Sequence, residues 1–127
     1  NMGWGYARIF LGLENWKLRV FHSDGTIYNL YSNSNVSTWN WEYITITREW
    51  ATTKIYLNSV EDASWSLSSN NIFNSDDWLF WAWRDGSSNR YNYTDIELDA
   101  FTVIDWAQSQ DEINYLYNSW AWRQYPY

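Results

Sequence analysis

Residues 93–117, YTDIELDAFTVIDWAQSQDEINYLY, constrain the fold more than any other stretch of this chain. From 95 to 104 the side chains alternate. Ile96, Leu98, Ala100 and Ile104 fall on one face, and Glu97, Asp99, Phe101 and Val103 on the other, the period of two that a strand requires. Ser109 then opens a helix with Glu112 three residues on, the spacing of a capping box. The serine oxygen takes the amide hydrogen of Glu112 while the glutamate reaches back to the amide of Ser109. Ile113, Leu116, Tyr117 and Trp120 follow at i, i+3, i+4 and i+7, one apolar stripe on a short helix. The pattern predicts a long strand running into a capped helix that docks on a β-rich body.

The rest of the chain reads as short strands broken by turn signals. Residues 6–13 and 16–22 form a pair about a Glu14-Asn15 turn, and Ser23-Asp24-Gly25 turns the chain into a strand over 26–31. Residues 32–38 read as a polar loop. Strands are expected at 41–48 and 53–58, a shorter one near 63–67, and one at 78–84 that ends at the Asp85-Gly86 turn. Many short strands at close spacing predict a β-sandwich, here over residues 1–120, with 121–127 as an aromatic tail.

Three segments carry a resemblance. Trp41, Ile44 and Thr47 sit in WEYITITR, Lys54 to Asn58 reads KIYLN, and Leu98-Asp99 leads to Ala107, Ser109, Glu112, Ile113, Leu116 and Tyr117. Together they resemble, in the same order, the strands and closing helix of the laminin-G-like branch of the concanavalin A-like lectins and glucanases. Ser59 stands where that group has a turn glycine, Gln108 replaces a leucine, and Ile96 replaces a frequent glycine. The resemblance implies an all-β jelly-roll sandwich with one short C-terminal helix. It also implies non-catalytic binding, with carbohydrate as the first ligand class. The chain carries less sequence ahead of the 41–48 strand than the group does. Either the sandwich is reduced, or another segment completes an open sheet edge.

Composition narrows the partners. The chain holds 12 Trp and 11 Tyr in 127 residues, more indole than one small core readily hides, so several tryptophans are expected on a surface, groove or interface. A net charge of −7 disfavours phosphate contacts with nucleic acid and fits an uncharged partner such as a neutral glycan, or a calcium-dependent surface. No apolar run approaches the roughly 20 residues of a membrane helix, so no membrane insertion is expected. With no cysteine there is neither disulfide framework nor thiolate chemistry. The sequons at Asn35 and Asn92 lean towards an extracellular setting, on a cell or a virion. The chain opens at Asn1, as a mature product, an excised piece or part of something longer would.

Candidate sites follow from residue type. Glu97 and Asp99 share a strand face as in a retaining glycosidase, but Phe101 and Thr102 stand where the second carboxylate is needed, so no enzyme is expected. The laminin-G-like resemblance implies a calcium ion at the rim of the sandwich, for which Asp76, Asp77, Asp85 and Asp95, with Asn89 beside them, would supply hard oxygen ligands, against the plain alternative of solvated turn acids. Trp81 and Trp83 share a face with Arg84 and Tyr91 nearby, a stacking platform for a pyranose ring or simply inter-sheet packing. Trp39, Trp41 and Tyr43 form a similar row. Trp120, Trp122, Arg123, Tyr125 and Tyr127 read as a docking strand for protein contacts. The sequence thus supports a carbohydrate-binding or adhesion module, with a structural subunit of a surface assembly such as a fibre or virion as the alternative.

Overall fold

The computed structural model describes residues 8–23, 26–36, 39–66, 79–80, 102–104 and 106–118. Strand β1 (Arg8–Glu14) turns back on β2 (Lys17–Ser23) through two residues, with Glu14 opposite Lys17. Both turn residues, Asn15 and Trp16, take left-handed backbone, at φ 51° and 65°. That pair matches the twist of the flanking strands, so the turn sits one residue later than the expected Glu14-Asn15. Strand β3 (Ile27–Tyr31) pairs antiparallel with β2. The two-residue β7 (Leu79–Phe80) lies parallel to β1 at Phe10 and Leu11, giving a first sheet of order β3-β2-β1-β7.

The second sheet is a meander of β4 (Ile44–Glu49), β5 (Thr52–Leu57) and β6 (Val60–Ser66). Strand β4 starts three residues after the expected 41, and β6 starts at Val60, earlier and longer than expected. Two-residue turns join the strands: Trp50 opens one at φ 53°, and Asn58-Ser59 form the other at φ 50° and 66°. Ser59, where the resemblance has glycine, therefore adopts a glycine conformation.

Alternation along the strands builds one core between the sheets. Leu13 faces Leu18, and Leu11, Val20 and Leu30 form a cross-strand row on the first sheet. Ile46, Ile55 and Ala63 form the matching row on the second. Leu18, Val20, Leu30, Ile55 and Ala63 are buried together, with Val36 from the loop after β3 among them. Burying an aliphatic side chain of this size contributes roughly 1.5–3 kcal/mol. On the other face of the second sheet Thr45, Thr47 and Tyr56 are buried too, so this sheet is covered on both sides.

The loop after β3 is less polar than its composition predicts. Ser32 continues the ladder: its N–H donates to the Leu18 carbonyl at 2.9 Å, while its Oγ accepts from the Leu18 N–H at 3.0 Å. The N–H of Val36 donates to the Trp16 carbonyl at 2.7 Å. The inward amides of Leu18, Ser32 and Val36 thus find partners, as burial demands.

Helix α1 (Gln110–Tyr117) forms where its cap places it. The Ser109 N–H donates to Glu112 Oε2 at 2.7 Å and the Glu112 N–H to Ser109 Oγ at 3.3 Å. Asn118 closes the helix in left-handed backbone. Of the predicted stripe, Ile113 is fully buried and Leu116 and Tyr117 are half-buried; Trp120 lies outside the described residues. Gln110 Nε2 donates to the Ser59 carbonyl at 2.6 Å and the Tyr117 ring meets Tyr43 at 5.7 Å, so α1 docks beside the β5–β6 turn. Of the strand expected over 95–104, residues 102–104 are described and lie in no strand.

Candidate functional site

Trp16, Trp39, Trp41, Trp50, Trp65 and Trp106 are all exposed, from 55% at Trp41 to 93% at Trp39. They are all the tryptophans among the described residues, and none joins the core, which is aliphatic. Strand register, turns and hydrogen bonds sort five of them to two ends of the second sheet. Trp50 occupies the β4–β5 turn, and Trp65 lies opposite Thr53 next to that turn. Trp16 is tied to Val36 at the other end, Trp41 precedes Glu42 there, and the Trp106 side chain bonds Glu112 in the cap of α1.

A cleft of about 250 Å³ opens at this second end. Leu57 and Val60 give it apolar surface, and Asn35, Glu42, Asn58 and Asp62 give it polar walls. Asp62 accepts from the backbone N–H of Asn33 at 2.5 Å and of Ser34 at 3.1 Å, and its carbonyl accepts from the Asn33 side chain. This carboxylate fastens β6 to the chain leaving β3, and so one sheet to the other. Asn58 fastens the start of β4: its N–H donates to the Tyr43 carbonyl at 2.8 Å, and its Oδ1 accepts from the Tyr43 N–H at 3.0 Å. The Asn58 Nδ2 donates to Glu42. Both walls of the cleft are therefore set by backbone and amide bonds.

A second polar surface covers the outer face of the first sheet. The Arg19 guanidinium lies over the Phe21 and Tyr31 rings, 5.6 and 5.7 Å from their centroids. Its Nε and Nη2 both donate to Asn29 Oδ1, at 2.9 and 2.7 Å, and Nη1 pairs with Glu14 at 3.2 Å. The Tyr31 hydroxyl donates to the same carboxylate at 2.8 Å. Burial, then that hydrogen bond, pushes the Tyr31 phenol above its ordinary pKa.

The residues singled out from sequence divide sharply. Asn35 is exposed and lines the cleft. Trp81, Trp83, Arg84, Tyr91, the acids Asp76, Asp77, Asp85 and Asp95, the tail from Trp120 to Tyr127, Asn92, Glu97 and Asp99 lie outside the described residues. Among the described residues, no three His, Asp or Glu side chains group to hold a metal ion, and no helix is long and apolar enough to cross a membrane. Sequence reasoning passed over Glu42, Asn58 and Asp62. Only Asn58 carried a signal, as the first residue of a turn.

No family model and no curated protein matches this chain. Its fold is similar to the crystal structure of an S-layer domain-containing protein (residues 221–444) from Clostridium thermocellum ATCC 27405, with a TM-score of 0.54 and 19% identity. The similarity covers 92% of this chain and 65% of that one, and it is a likeness of fold.

Proposed function

We propose that this chain is a non-catalytic module of a cell surface or extracellular layer, and that it packs against neighbouring protein subunits through exposed tryptophans. The observation that carries the reading is the exposure of every described tryptophan beside a core that uses none. Exposed indoles are the side chains most enriched where protein surfaces meet. The likeness to an S-layer domain-containing protein supports a surface setting. The capped closing helix and the Lys54–Asn58 strand and turn support the laminin-G-like jelly-roll architecture.

A glycan-binding reading is favoured by one feature, the exposure of both Trp39 and Trp41, two residues apart in the chain. Sedimentation velocity over a concentration series, beside titration with soluble polysaccharides, separates the two. Self-association that weakens in Trp39→Ala and Trp50→Ala, with melting temperature unchanged, supports the assembly module. Saturable polysaccharide binding by a monomer, lost in Trp39→Ala, would transfer the function to glycan recognition. Release of reducing ends from any polysaccharide, abolished by Glu97→Gln, would overturn the non-catalytic reading.

A further inference from the structure

The cleft between Asn35, Glu42, Asn58 and Asp62 has a chemistry more specific than the tryptophans around it. Its apolar surface comes from Leu57 and Val60, and its walls carry two carboxylates but no lysine or arginine. Asp62 is already oriented by two backbone N–H groups and Glu42 by the Asn58 amide. A carboxylate offers about four acceptor sites, so both retain capacity for further donors. The basic side chains described elsewhere are engaged: Lys17 donates to the Asn33 carbonyl, Arg19 to Asn29, Arg48 to the Trp50 carbonyl and Lys54 to Glu61. Among the described residues the cleft is therefore rich in acceptors, and no lysine or arginine is among those that line it.

A hydroxylated ring both donates and accepts at each hydroxyl, whereas lysine and arginine only donate. Their aliphatic stems also suit the apolar surface of Leu57 and Val60 while the charged head reaches the carboxylates. The cleft holds about 250 Å³, room for one long side chain. The net charge of −7 draws basic partners at long range. We infer that this cleft is a socket for a lysine or arginine side chain from a basic segment of the partner protein. The inference rests on the reading of the chain as a module that packs against protein.

The test is amide chemical-shift mapping of the labelled chain with a blocked hexalysine peptide, with a neutral hexasaccharide in parallel. Hexalysine is expected to shift Ser34, Asn35, Glu42 and Val60 saturably, with an affinity that falls as salt is raised. Glu42→Gln keeps an oxygen for the Asn58 amide, so the fold survives; it should weaken binding about tenfold, while Glu49→Gln, remote at the end of β4, leaves it unchanged. Val60→Lys, at an exposed position, should fill the socket from within and abolish binding. Shifts scattered over all surface acids, equal loss in Glu49→Gln, or no shift would each overturn the socket. So would cleft shifts from the hexasaccharide alone. Self-association that persists while hexalysine fails to bind would sink the socket and leave the module reading standing.

Discussion

Thr53 is the most informative single residue in the second sheet. It is 2% exposed, and its hydroxyl finds no hydrogen-bond partner among the described residues. A buried, unpaired hydroxyl costs about 1–3 kcal/mol, so Thr53→Val, which keeps the shape, should raise stability by about 1 kcal/mol in urea unfolding. Ser59 makes a parallel case in the backbone. Its φ of 66° is strained for any residue with a Cβ, and Ser59→Gly should stabilise by roughly 0.5–1 kcal/mol, the relieved strain less the added entropy of the unfolded chain. Trp16 and Trp50 bear the same strain with indoles on the outside, which fits contact residues retained against stability. The sequence departure at Ser59 was legible. The two strained tryptophans were not, because only turn register reveals which residue lands in the left-handed region.

At the scale of elements, α1 was the most readable part of the chain, since a capping box is a local device written in four residues. Ser109→Ala should cost 0.5–2 kcal/mol, measured by thermal unfolding. The backbone N–H of Ser109, then its hydroxyl, hold the Glu112 carboxyl below the ordinary glutamate pKa. The stabilisation is thus complete above the glutamate pKa of the unfolded chain and is lost as pH falls through the lowered folded value. Amide exchange across α1 should accelerate over that acid window, and Glu112→Gln should flatten the dependence. The strand leading into α1 was less readable. Alternation predicted one through Ile104, yet residues 102–104 lie in no strand, because alternation alone does not establish pairing. The start of β4 was overextended for the same reason: Tyr43 is held by Asn58, a side chain fifteen residues away, and by the Tyr117 ring.

For the whole molecule, the many short strands at close spacing foretold a mostly β fold, whereas the bond that joins the sheets could not be foretold. Asp62 looks like any exposed strand acid in sequence, yet it receives the chain that leaves β3. Asp62→Ala should cost roughly 1.5–3 kcal/mol in urea unfolding, more than truncation of the exposed Glu49. The cleft was illegible on the same ground, since its walls come from three segments that meet only in the fold. The surface position of the tryptophans, by contrast, was foreshadowed by counting them. The parallel pairing of β7 with β1 also fixes an order in time. Both antiparallel meanders close through tight local turns, but Phe10 and Leu11 meet Leu79 and Phe80 only after about seventy further residues have been made. At about 5–20 residues per second, that stretch of β1 edge waits seconds on the ribosome for the strand that covers it.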